Sequence, residues 1–189
     1  ELTSKVNKYF CRKTLEILVK IGFIEHLNLV GTDIGDFDFS GFTGLKILNL
    51  SEAKGLTADK FNAIPEKIRN TIEHLDLSKV NVKDFDFSGF KNLKILVLEE
   101  VSGLTADQFD AIPKEVRSSI EHLNLNLTNV LDFDFLGFKK IKCLGLESTG
   151  IVADQFNAIL NKKSIKILNL SGVDVLKFDF SGLVNLESL

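Results

Sequence analysis

Ile24-Glu25-His26-Leu27-Asn28-Leu29 decides how this chain is read, because it returns as Ile72-Glu73-His74-Leu75-Asp76-Leu77 and as Ile120-Glu121-His122-Leu123-Asn124-Leu125, 48 residues apart each time. A related stretch, Ile165-Lys166-Ile167-Leu168-Asn169-Leu170, opens a fourth copy after 45. Each period splits again. Ile24 to Gly44 is a half of 21 residues, and Leu45 to Thr71 is a half of 27 opening Leu45-Lys46-Ile47-Leu48-Asn49-Leu50. The halves return as Ile72 to Asn92 with Leu93 to Ser119, then as Ile120 to Lys140 with Ile141 to Ser164. Ile165 to Asn185 repeats the short half, and Leu186-Glu187-Ser188-Leu189 begins an eighth unit. A fixed period of this size marks a repeat array, in which each unit buries its apolar face against its neighbours.

Every unit carries apolar residues at its first, fourth and sixth positions, so the fourth and sixth point inward along a short strand and the residues between them point out. The pattern Leu-x-x-Leu-x-Leu over 24–189 resembles the leucine-rich-repeat family. The resemblance implies an α/β solenoid curved as a horseshoe, with a parallel sheet on the concave face and extended segments and short helices on the convex face. At the ninth position, where the family has Asn, stand Thr32, Ala53, Val80, Val101, Thr128, Thr149 and Val173, so a buried Asn ladder is absent or partly replaced by threonine. Residues 1–23 lie outside the array; Val6, Phe10, Ile17, Leu18 and Ile21 can share one helix face ending near Gly22, which reads as an N-terminal helical cap.

The two halves return differently. Asp36-Phe37-Asp38-Phe39-Ser40-Gly41-Phe42 alternates acidic and apolar residues, predicting an extended segment with Phe37 and Phe39 inward, and resembles the phenylalanine-containing return of short bacterial-type repeats. Asp38, Asp86, Asp134 and Asp179 take turn positions. In the long half, Thr105 reads as an N-cap with Gln108 reaching back to it, and Pro65 and Pro113 open a second helical turn. The 16 phenylalanines fall almost wholly in these returns, eleven in the short halves and three in the long, which predicts a packed convex spine with each ring stacked on its repeat neighbours.

Several function classes are excluded. Twenty-three Lys and Arg against 26 Asp and Glu, with no one-signed block, lack the footprint of a nucleic-acid partner. No run of about 18 apolar residues occurs, so membrane insertion is not expected. No Gly-x-Ser-x-Gly turn or glycine-rich phosphate loop is present, and the reading is no enzyme and no cofactor. His26, His74 and His122 stand on every second strand, about 9.6 Å apart, too far to share a zinc at about 2.1 Å per ligand. The pairs Asp36/Asp38, Asp84/Asp86 and Asp132/Asp134 lack a calcium loop and read as turns. Asn49, Asn126 and Asn169 match glycosylation acceptors only where the strand pattern supplies the match. Cys11 and Cys143 belong to distant parts of the array and are not expected to pair, which favours a reducing, intracellular compartment and leaves a secreted form without disulfides open.

What remains is the concave face. One outward row reads His26, Ile47, His74, Ile95, His122, Cys143, Ile167; beside it lie Asn28, Asn49, Asp76, Val97, Asn124, Gly145 and Asn169, then Val30, Ser51, Ser78, Glu99, Asn126, Glu147 and Ser171. Apolar groups among hydrogen-bonding ones suit a protein partner. The candidate binding residues are His26, Asn28, Ile47, Asn49, His74, Asp76, Ile95, Val97, His122, Asn124, Ile167 and Asn169. At the second position, Glu25, Lys46, Glu73, Lys94, Glu121 and Lys142 alternate in sign and predict a charge ladder that breaks at Lys166. The expected function is a non-enzymatic protein–protein interaction module. The alternatives are a structural or adhesion segment of a longer array, suggested by the start of an eighth unit, and an ion- or ligand-binding surface.

Overall fold

Three-residue strands hold no structure alone, and this chain builds its sheet by repeating one seven times. The computed structural model describes residues 24–35, 37–159 and 161–189; the expected cap over 1–23, with Cys11, lies outside them, as does Asp36. Strands β1 (His26–Asn28), β2 (Ile47–Asn49), β3 (His74–Asp76), β4 (Ile95–Val97), β5 (His122–Asn124), β6 (Cys143–Gly145) and β7 (Ile167–Asn169) form one open parallel sheet in chain order. The register matches the repeat position by position: His26 pairs with Ile47, Ile47 with His74, and so on to Cys143 with Ile167. Leu27, Leu48, Leu75, Leu96, Leu123, Leu144 and Leu168 are all buried beneath it, as is the leucine two residues after each. Each such leucine is worth roughly 1.5–3 kcal/mol.

Each strand ends the same way. The residue at the eighth position, Gly31, Glu52, Lys79, Glu100, Leu127, Ser148 or Gly172, has a positive φ between 50° and 71° and swings the chain off the sheet. Only two of these are glycine, so five side chains bear a left-handed conformation costing about 1 kcal/mol each. At the ninth position, threonine hydroxyls take the place of the expected amides. Thr32, Thr128 and Thr149 donate to the carbonyls of Leu29, Leu98 and Leu146 at 2.7, 2.6 and 2.8 Å.

The long halves return through short helices: α1 (Ala58–Asn62) and α2 (Glu66–Arg69), α3 (Ala106–Asp110) and α4 (Lys114–Ser119), then α5 (Ala153–Asn157) followed by a 3₁₀ turn over Lys162–Ser164. Pro65 and Pro113 immediately precede α2 and α4. Thr105 caps α3 by accepting from Gln108 N, but the side chain of Gln108 does not complete the box. Its amide donates instead to Val82 O and Phe85 O of the preceding unit, at 2.6 and 3.2 Å, because those loop carbonyls need a donor. In α5, Val152 has no hydroxyl. There Gln155 accepts from Val152 N and donates to Val130 O and Phe133 O.

The phenylalanines do not form a continuous spine. Their contacts fall into four groups, each spanning a long half and the next short half where both are described: Phe61 stacks on Phe85 at 4.3 Å, Phe109 on Phe133 at 4.4 Å, and Phe156 on Phe178 at 4.3 Å. Phe37, Phe39 and Phe42 form the fourth. Three groups are closed by a buried cation. Arg117 lies 5.5 Å over both Phe109 and Phe138 and donates to Ile112 O, Phe109 O, Asp134 O and Leu136 O. Arg69 does the same over Phe90, reaching Ile64 O, Asn62 O, Asp86 O and Ser88 O. Lys162 stands 4.8 Å over Phe156 and donates to Asp179 O.

Each guanidinium thus joins a helical return to the turn of the following unit. Arg117→Met keeps the bulk and removes every donor, so it should lower unfolding stability by about 3 kcal/mol in urea titrations. Leu127→Gly relieves the left-handed strain of an exposed residue and should raise stability by roughly 0.5–1 kcal/mol in the same measurement.

Candidate interaction face

Residues at the third, fifth and seventh positions project from the sheet face opposite the core, and all twelve candidate residues lie there. Their row across the strands alternates imidazole with aliphatic or thiol groups. His26 and Ile167, at the two ends, are exposed; Ile47, His74, Ile95, His122 and Cys143 are half-buried against one another. Burial holds His74 below histidine's usual 6.5; Asp76 opposes this, while His122 and His26 add to it. Cys143 Sγ lies 4.0 Å from His122 Nε2, and burial pushes the thiol up against the influence of Lys142. The thiol is therefore held protonated rather than activated as a nucleophile.

The amide row has a role that periodicity does not reveal. Asn28, Asn49, Asp76, Asn124 and Asn169 each accept, through Oδ1, the backbone N–H two residues on, at 2.9 to 3.1 Å. They close the strands as Asx turns. Three of the amides also donate sideways through Nδ2: Asn49 to Asp76, Asn124 to Glu99 and Asn169 to Glu147, at 3.1, 3.0 and 3.0 Å.

Gly145 interrupts that row. A Cβ there would lie 2.7 Å from the Oδ1 atoms of both Asn124 and Asn126, so a larger residue does not fit without displacing them. Around the missing side chain opens a depression of about 260 Å³, lined by Ile95, Val97, His122, Cys143, Gly145 and Ile167 among others. Cys143 and Gly145 belong to the site although neither was a candidate. A glycine in a row of amides, beside the only thiol on the face, was the visible sign.

The two margins of the face differ in charge. On the side where the strands begin, Lys46 meets Glu25 at 2.7 Å, Lys94 meets Glu73 at 2.5 Å, Lys142 meets Glu121 at 2.5 Å, and Lys166 meets Glu187 at 2.6 Å. The expected break occurs at Lys166, which lies beside Lys142, and Lys166 turns instead to Glu187, 21 residues onward. These exposed pairs contribute little stability each. On the far side, Lys79 is paired with Glu52 at 3.1 Å. Asp76, Glu99, Glu100 and Glu147 have no Lys, Arg or His within ion-pair distance among the described residues.

Among the described residues, no three His, Cys, Asp or Glu side chains converge as metal ligands, and no helix is long and apolar enough to cross a membrane. The open parallel sheet, the one-unit register and the short helical returns define a leucine-rich-repeat-like α/β fold. No known family model matches the chain, and no curated protein does. Among solved structures, a leucine-rich-repeat protein of Leptospira interrogans is similar over 90% of this chain and 62% of that one, at 15% identity and a TM-score of 0.34. The chain thus spans less than two thirds of that structure's length.

Because His74 is held below its usual value, the folded state resists its protonation. The stability this contributes is full above about pH 6.5 and is lost as pH falls through the depressed value. His74→Asn should therefore lose less Tm than the parent chain between pH 7 and pH 5, read by thermal denaturation.

Proposed function

We propose that the chain is a non-enzymatic protein-interaction module, and that its partner lies on the outer face of the sheet as the concave side of a horseshoe. One observation carries this reading. The row Ile47, Ile95, Cys143 and Ile167 leaves apolar groups on a face whose core-side counterpart is fully packed, and Ile167 alone is 48% exposed. A single exposed isoleucine needs no explanation, but a row in which apolar groups alternate with imidazoles across the strands, hollowed at Gly145 and rimmed by polar groups, has the anatomy of an interface core. The polar candidates around it play a different part. The side chains of Asn49, Asn124 and Asn169 are already hydrogen-bonded within the sheet, so they hold the face rigid rather than reach for a partner.

Rigidity matters because a preformed surface loses little entropy when it binds. A photo-crosslinking residue placed at Ile95 or Ile167 should yield a protein adduct in extract from the native cell. The same residue at Lys67, on the exposed side of α2, should yield none. Ile95→Asp should abolish the adduct formed from position 167 while Tm stays within a few degrees. Equal adducts from Lys67 and Ile95 would refute the reading.

A further inference from the structure

Resting on that reading, we infer that the face takes a cationic partner segment: a bulky apolar side chain seated in the Gly145 depression, followed within about four residues by Lys or Arg. The argument begins with the asymmetry of the margins. Where the strands begin, every carboxylate from Glu25 to Glu187 is neutralised by a lysine on the adjoining strand. Where they end, across β3 to β6, Asp76, Glu99, Glu100 and Glu147 have no cation within ion-pair distance among the described residues; Lys79 is paired with Glu52 and acts on Glu100 and Glu99 only through space.

These four strands border or contain the depression. Its lining runs from Ile95 on β4 to Ile167 on β7 and includes Asn124 and Asn169, the amides that hold Glu99 and Glu147 in the turns just after β4 and β6. The apolar floor and the acidic rim are one site.

The carboxylates are also positioned for a ligand. Glu99 Oε2 accepts from Asn124, and Glu147 Oε2 accepts from Asn169, each at 3.0 Å, which fixes the side chain and leaves Oε1 without a hydrogen-bond donor among the described residues. A held carboxylate with an open oxygen suits a guanidinium or ammonium, and steers one at low salt. Cys143 on β6 and Glu147 in the turn that follows it are four residues apart, a span of at most about 13 Å. An extended partner running beside β6 covers that span in four residues, which sets the spacing between its apolar anchor and its cation. An acidic segment would meet the same rim with like charge.

The test uses synthetic peptides of equal length on the full chain, followed by fluorescence anisotropy and by amide shifts of the ¹⁵N-labelled protein. One peptide carries Leu followed by Arg four residues on; a second replaces Arg by Glu; a third replaces Leu by Ser. The Leu/Arg peptide should bind and shift the amides of β4 to β7, with each of the other two about tenfold weaker, and its affinity should fall as salt rises. Glu99→Gln with Glu147→Gln keeps an acceptor for Asn124 and Asn169, so the sheet is retained, and it should weaken the Leu/Arg peptide about tenfold. Glu25→Gln with Glu121→Gln, on the neutralised margin, should not. Equal binding of the Arg and Glu peptides, indifference to the Glu99/Glu147 pair, or no binding by any peptide would overturn the inference. None of these results touches the broader reading, which falls only if crosslinks from positions 95 and 167 show no preference over position 67.

Discussion

A parallel strand of three residues survives only if the chain leaves and re-enters it identically in every unit. Here that identity comes from two devices at the strand's end. In five of the seven units an Asn or Asp side chain folds back on the N–H two residues ahead, and in all seven the residue at the eighth position turns left-handed. The left-handed residue still donates its N–H to the next unit, as Gly31 does to Ser51 O and Glu52 to Ser78 O, so the units stay in register as the chain leaves the sheet. Everything else is built on that repetition, because leucines brought into register can stack only if no unit drifts by a residue. The fold tolerates side chains that do not favour the left-handed region at five of the seven turns, which shows how strongly the stacked leucine core fixes the backbone.

The returns obey a looser rule. Short and long halves differ in length and secondary structure, yet they are locked together by the same arrangement of rings and one cation. Phe109 stacked on Phe133, with Arg117 above, has its counterpart 48 residues earlier in Phe61, Phe85 and Arg69. The guanidinium donates to carbonyls on both sides of the junction, doing for two irregular segments what ladder hydrogen bonds do for strands. Burial opposes the charge of Arg117, and Asp110 and Asp134 offset that effect.

Much of this was legible from period and pattern. The strands fall where Leu-x-x-Leu-x-Leu places them, and their pairing joins equivalent positions without a slip. What escaped were residues whose role contradicts their ordinary habit. Arg69 and Arg117 sit where a helix ends in polar sequence, with nothing in the repeat pattern to single them out, yet both are buried, because the carbonyls they meet include those of the following unit's turn. The face amides read as a recognition row, yet their acceptors are committed to the backbone beside them. The acidic margin was visible only once Lys and Glu could be matched to partners, since net charge sums both margins together. The Gly145 depression needed neighbouring amides in place before the lack of a side chain became a shape.

The third cation carries a consequence for motion. Where Arg69 and Arg117 each hold four backbone carbonyls, Lys162 holds one, and its unit is shortened to a 3₁₀ turn in place of a second helix. In a repeat array, each junction sets its own local opening equilibrium. The junctions are therefore unequal, and the one at Lys162 is the most weakly tied of the three. With fewer carbonyls held, the junction at Lys162 costs less to open than those at Arg69 and Arg117. β7, which supplies Ile167 to the depression, follows that junction directly, so the depression is lined by strands on both sides of the weakest of the three ties.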